Sequence, residues 1–238
     1  MVRPGNSSTN DSWPVNRGRW FLGRMLSRSA PDECSVLGLR FKVARGVFSP
    51  CFSRSSAFFA RELRGRCKGK TLCEVGCGTG VVGIHCAVGG AKAVVCTDVN
   101  ALAVRCTREN AVRHGVERRV HVIKGDAFSG ISARFDVVFF ALPYVYVQDV
   151  EKLVRKYGSL AHAVFDERYK SQRQFLAGAG NHLAVGGELY VGFSNVGSER
   201  EFHLNLDRSR YVGQVVAREK EGRADNQLIR LERDAALQ

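Results

Sequence analysis

A chain of 238 residues with 45% hydrophobic and 25% charged side chains is sized for one α/β domain with an added N-terminal segment, and none of its apolar runs reaches the ~20 residues that cross a bilayer. The net charge of +13 points to an acidic partner such as RNA or a ribosomal protein, although the arginines are spread along the whole chain, as they would be in any basic proteome. Eight cysteines exclude neither class, but Cys67, Cys73, Cys77, Cys86, Cys96 and Cys106 never form C-x-x-C and have no histidine pair at ligand spacing nearby, so they read as reduced core thiols of a cytoplasmic protein with no metal site.

In chain order, residues 6–12 are polar and turn-prone. Trp13, Trp20, Phe21, Leu22, Met25 and Leu26 then bring apolar residues into an arginine-rich stretch that predicts a short helix. Residues 1–35 read as an N-terminal extension, a lid or tail, in preference to a cleaved targeting peptide, and residues 36–238 as the domain proper. Residues 37–48 predict one or two short strands, broken by Ser49-Pro50. Ser53 or Ser55 is placed to cap a helix with Phe58, Phe59 and Leu63 on one face.

Strand and helix then alternate. Strands are expected at 71–75, 93–97, 120–124, 135–140 and 188–193. Helices are expected at about 80–88, from the Asn100 cap to His114, at about 167–183, and after a Ser198/Glu201 capping box. A turn at Gly186-Gly187 precedes the fifth strand, and residues 210–217 and 227–231 form a closing hairpin. The expected fold is α/β: a Rossmann-like, doubly wound, mostly parallel sheet with an antiparallel C-terminal hairpin and an N-terminal extension.

The stretch 71–80, TLCEVGCGTG, organises the rest. A buried strand ends in Glu74, breaks into Gly76, Gly78 and Gly80, and opens a helix. Glycines admit a ligand close to the backbone, and the helix start offers unpaired N–H groups. Gly78, Gly80 and Gly83 fit the dinucleotide pattern G-x-G-x-x-G, with Asp98 twenty residues beyond Gly78. The run Glu74, Val75, Gly76, Cys77, Gly78, Thr79, Gly80 also resembles the E/D-x-G-x-G-x-G turn of class I S-adenosylmethionine (SAM) methyltransferases at every fixed position. The acid favours SAM, because a carboxylate repels a pyrophosphate but attracts an ammonium and a sulfonium.

Further candidates lie at the following strand ends. Asp98 can accept both ribose hydroxyls, with Val99 and Asn100 beside it. Asp126 can accept from an adenine amine, with Ala127 offering backbone contacts. After the fourth strand comes Ala141-Leu142-Pro143-Tyr144, and upstream lies Gly46-Val47-Phe48-Ser49-Pro50. With these, residues 46–193 resemble the N-methyltransferase branch that contains release-factor glutamine methyltransferases and related RNA- and DNA-amine methyltransferases.

That resemblance implies that Pro50 belongs to a loop over the cofactor and that 141–144 is the catalytic loop. In the family this loop reads N/D-P-P-Y/F, and its polar residue grips the acceptor nitrogen while the aromatic ring packs on the acceptor's plane. Here Pro143 and Tyr144 are kept, but Ala141 replaces the polar residue. Three outcomes stay open: a more reactive acceptor, including a small molecule; a substitute polar group such as Tyr144, Tyr146, Gln148, His162 or Asp166; or binding of SAM without turnover. The expectation is a SAM-dependent methyltransferase acting on nitrogen of a protein or RNA.

Overall fold

The computed structural model describes residues 13–234, so the polar stretch 6–12 lies outside the described residues. Helix α1 (Trp13–Leu26) is followed by a small antiparallel hairpin, β1 (Glu33–Val36) and β2 (Leu39–Lys42), turning at Leu37 and Gly38. The hairpin therefore begins earlier than the alternation over 37–48 indicated. Helix α2 (Ser55–Arg66) leads into β3 (Thr71–Val75), α3 (Val81–Val88), β4 (Ala93–Asp98), α4 (Ala101–Arg113) and β5 (Val120–Lys124). Strand β6 (Phe135–Ala141) follows, then β7 (Val145–Val147), α5 (Glu151–Tyr157), β8 (Phe165–Glu167) and α6 (Lys170–Ala179). The chain closes with β9 (Leu183–Ser194), α7 (Glu199–Arg208), β10 (Tyr211–Glu221) and β11 (Ala224–Arg233).

Seven strands form the main sheet in the order β10-β11-β9-β6-β3-β4-β5. The pairs from β5 to β9 are parallel, and β11 and β10 are antiparallel additions. The winding reverses between β3 and β6, which puts a ligand crevice at their carboxyl ends. Because β6 and β3 are covered on both faces, their side chains are almost all apolar. Phe139, Tyr190 and Leu228 face α2 and α3 together with Phe58, Phe59 and Leu63. Phe140, Val191 and Ile229 face α6 and α7, packing on Phe175, Leu176, Phe202 and Leu206.

A third apolar cluster lies off the main sheet, around the two-stranded parallel pair β7–β8. Val15, Leu22 and Met25 of α1 pack against Val145 and Val147 of β7, Leu153 of α5 and Phe165 of β8. This cap was invisible as elements: β7, α5 and β8 are too short to show a period. Its presence also shortens the helix expected over 167–183. Residues 165–167 are drawn into β8, Tyr169 takes a left-handed φ of 55°, and the buried Asp166 carboxylate accepts from the Ser171 and Gln172 N–H groups, so α6 starts at Lys170.

Two other local expectations are corrected, and a third, the Ser198 cap of α7, is met in its Ser198 arm. Neither serine caps α2 as an N-cap side chain: Arg54 is the N-cap residue, and the Glu221 carboxylate, 167 residues away, accepts from the Arg54 N–H at 3.0 Å and the Ser53 hydroxyl at 3.3 Å. A carboxylate there suits the positive end of the helix. Gly186 and Gly187 sit inside β9 as an irregularity, since Phe135 pairs with Leu183 but Val137 with Glu188. At α7, Ser198 Oγ accepts from Glu201 N at 3.3 Å, while the Ser198 N–H donates to Tyr169 Oη.

Candidate active site

A cavity of about 520 Å³ opens at the carboxyl ends of β3, β4, β6 and β9 and is roofed by the α1–β7–β8 cap. That volume lies in the ordinary range for a cofactor-sized ligand. Its floor is the turn after β3. Gly76 takes a φ of 69°, and a Cβ there would lie 2.8 Å from the Phe140 ring, so both conformation and space demand glycine.

Glu74 is the last acid of β3, 3% exposed, and its Oε2 accepts from the Gly83 N–H at 2.8 Å inside the first turn of α3. A Cβ on Gly83 would lie 2.7 Å from that oxygen, so the glycine permits this approach. Burial pushes the Glu74 carboxyl up to about 8, opposed by the Gly83 N–H and the Cys96 thiol. A cationic ligand facing Glu74 in the cavity favours its ionised form.

Asp98 ties the floor to β4. Its Oδ2 accepts from Gly78 N at 2.9 Å and its Oδ1 from Asn100 N at 2.8 Å. Each oxygen keeps a second lone pair, so a pair of vicinal hydroxyls can be received by a carboxylate that is already fixed. Burial raises its pKa, and these two N–H groups oppose the rise. Asn100 caps α4 through its Oδ1 to Leu102 N, while its Nδ2 holds Gly46 O of the upstream loop. Asp126 lines the cavity from the end of β5, and Ala127, with a φ of 46°, presents its carbonyl to Thr97 Oγ1.

Most of the residues expected from sequence converge here. Glu74, Gly76, Cys77, Gly78, Thr79, Asp98, Val99, Asn100, Asp126, Ala127, Ala141, Pro143 and Tyr144 all line the one cavity. Gly80 stands behind its wall, where a φ of 81° starts α3, and the buried Pro50 leaves the lining to Phe48 and Ser53 of the same loop. Of the proposed substitutes for the lost polar group, His162 and Asp166 line the cavity and Tyr146 and Gln148 do not. Asp166 is already committed to capping α6. Tyr144 is half-buried, its ring edge-on to Phe193 at 6.3 Å, and desolvation raises its phenol above the usual value.

Residues that sequence reading did not assign to the site complete the wall: Arg17 and Phe21 from α1, Phe59 from α2, Ser194 from β9, and Glu221 and Asn226 from the hairpin. Arg17 and Phe21 lie in the predicted lid, but nothing in their local pattern separates them from its other residues.

A glycine turn at the reversal point of a doubly wound sheet, a carboxylate fixed by two backbone N–H groups and a buried acid suited to a cation are together the chemistry that a cationic nucleoside cofactor requires. Residues 38–156, half of the chain, match the Methyltransferase small domain family, and the chain belongs to that family. It is a SAM-dependent methyltransferase. It is 28% identical over 188 residues to a Methanocaldococcus jannaschii protein provisionally named a protein N5-glutamine methyltransferase, covering 78% of this chain and 91% of that one. It is 27% identical over 131 residues to a release factor glutamine methyltransferase of Clostridium botulinum, covering 51% and 46% of the two chains. It is 34% identical over 110 residues to a ribosomal protein L11 methyltransferase of Streptococcus pyogenes, covering 44% and 34%. The chain thus spans less than half the length of the latter two.

Among solved structures, the fold resembles a T. thermophilus 16S rRNA N2 G1207 methyltransferase in complex with AdoMet and guanosine, with a TM-score of 0.60, 17% identity, and 84% of this chain and 49% of that one covered. It also resembles a ribosomal protein L11 methylase from Lactobacillus delbrueckii subsp. bulgaricus, with a TM-score of 0.55, 17% identity, and 76% and 79% covered. No helix among the described residues is long and apolar enough to cross a membrane.

Proposed function

We propose that this enzyme transfers a methyl group from SAM to a nitrogen of a protein or RNA acceptor. The observation that carries the reading is the placement of Pro143 and Tyr144: they leave β6 beside the cofactor floor, with the Tyr144 side chain in the wall of the same cavity. The relative that aligns over 91% of its length bears the name of a glutamine-nitrogen methyltransferase, which supports the same reading.

SAM supplies an electrophilic methyl group, and the protein's task is alignment. Asp98 with Asn100 holds the ribose end, Asp126 and Ala127 the base, and Glu74 with the Gly76–Gly80 turn the methionine end. Tyr144 and Pro143 give the acceptor a planar wall, and α1 with β8 keeps water from the reacting atoms. Within the N-terminal extension, residues 1–35, helix α1 acts as the lid, and residues 36–238 are the methyltransferase domain. All eight cysteines are free thiols, which supports a cytoplasmic setting.

A second reading, a small-molecule acceptor, is favoured by the closed roof over the cavity, where α1 and β8 pack so tightly that a Cβ on Gly18 would lie 2.7 Å from the Phe165 ring. Incubation with isotopically labelled SAM, a glutamine-bearing peptide, ribosomal RNA and a metabolite extract separates the two. Label on a peptide or RNA nitrogen is the expected result, and label confined to the metabolite fraction would replace the first reading by the second.

A further inference from the structure

Position 141 carries no polar side chain, and its neighbourhood on the sheet is apolar. Ala141 of β6 pairs with Gly192 of β9, and a Cβ on Gly192 would lie 2.5 Å from the Phe59 ring. The floor of the acceptor end is therefore apolar at that level: Phe59 presses onto the sheet beside Ala141.

One two-residue step further along the same face, the chemistry changes. Ser194 of β9 pairs with Asn226 of β11, and both side chains line the cavity. They are 1% and 3% exposed. Asn226 Nδ2 is a fully buried donor with no hydrogen-bond partner. Its backbone is held on both sides, opposite Ser194 in β9 and Glu219 in β10, so the carboxamide cannot leave this face without a slip of register. Residues at such central strand positions are ordinarily apolar, as Leu228 is two residues on. A buried amide donor left unpaired is a cost to the fold, and this one belongs to a residue in the wall of a ligand cavity, where a ligand can supply the missing acceptor atom.

We propose that Asn226 is an acceptor-binding residue whose Nδ2 donates to the carbonyl oxygen of a protein side-chain carboxamide, orienting from β11 the acceptor that position 141 cannot grip from β6. A carboxamide suits the site because Asn226 offers both a donor and an acceptor to its two polar ends, and Ser194 stands beside it. The inference rests on the nitrogen-acceptor reading above and names the residue that would hold that acceptor.

The test uses the full chain with Asn226→Leu and Asn226→Asp. Removing one unpaired buried donor in Asn226→Leu should raise Tm by about 2–4 °C in a domain of this size. Binding of S-adenosylhomocysteine should stay within about twofold of wild type in both variants, because Asn226 lies away from the cofactor floor. The KM for a glutamine-bearing peptide should rise at least about tenfold in both, since Asn226→Asp keeps the shape but loses the N–H. A lower Tm for Asn226→Leu, an unchanged peptide KM, or wild-type label entering RNA instead of the peptide would each overturn the assignment. The two failures are separable: a wild-type enzyme that labels no nitrogen sinks the proposed function, while a lowered Tm of Asn226→Leu, which needs no acceptor, removes the unpaired-donor premise for Asn226 on its own.

Discussion

The two halves of the cavity are built on opposite principles. On the side proposed for the cofactor, the candidate acids come from strand ends or the residues immediately after them, and two of the three are fixed by backbone N–H groups close by: Asp98 by Gly78 and Asn100, Glu74 by Gly83. On the acceptor side, the wall is assembled from parts far apart in the chain. Arg17 and Phe21 arrive from α1, Phe59 from α2, Ser194 from β9, and Glu221 and Asn226 from the hairpin. Local construction makes the cofactor seat a motif. Remote construction leaves the acceptor side free to differ in partner while the fold stays the same.

If the halves are separable, damage to one should spare the other. Gly76→Ala should do the most harm. A left-handed φ together with a 2.8 Å approach to Phe140 should cost on the order of 2–3 kcal/mol of stability and weaken SAM binding steeply, as read by denaturant melts and calorimetry. Full SAM affinity in that variant would show that the turn is not the floor of the site.

Glu74 sharpens the comparison through pH. With its carboxyl raised to about 8 by burial, it is neutral below that value in the free protein, and a cation beside it favours ionisation. SAM affinity should therefore increase as pH rises to about 8 and then level off, roughly tenfold for each unit by which the ligand lowers the pKa. Glu74→Gln should flatten the profile. The same raised value should make the free enzyme lose stability as pH climbs from the ordinary carboxylate range through about 8, because the unfolded carboxyl ionises first. A Tm that rises over that window in wild type but not in Glu74→Gln would contradict the assignment.

The mildest change falls on the cap. Gly18→Ala places a methyl group against the Phe165 ring and should cost about 1 kcal/mol, raising the acceptor KM a few-fold while SAM affinity stays put. A parallel loss of SAM binding would mean that the halves are coupled through the cap.

The same division explains what could be read from sequence. The parallel strands β3 to β6 are short apolar runs punctuated by glycine or a capping residue, so their order and the residues at their ends were legible, Asn100 as a cap among them. The hairpin and the apolar character of α1 were legible as elements. The cap strands β7 and β8, with three residues each, carry no period to detect, and the start of α6 depends on Asp166, which only the folded cap brings under the helix. The carboxylate at the start of α2 comes from Glu221, where no local pattern can show it. Asn226 fell just outside the strand expected at 227–231, and its importance rests on a burial and an unpaired donor that exist only once β9, β10 and β11 are side by side. Ala141 was visible as a departure, but the Phe59 ring that occupies its neighbourhood was not.

The most direct test of the cofactor assignment is a calorimetric titration of wild type and Asp98→Ala with SAM, S-adenosylhomocysteine and NAD in parallel. Asp98 is held ready by two backbone N–H groups, so removing it should weaken SAM binding by at least ~1 kcal/mol, with micromolar binding in wild type and no heat from NAD. Equal SAM affinity in the two proteins, or binding of NAD in place of SAM, would contradict the account.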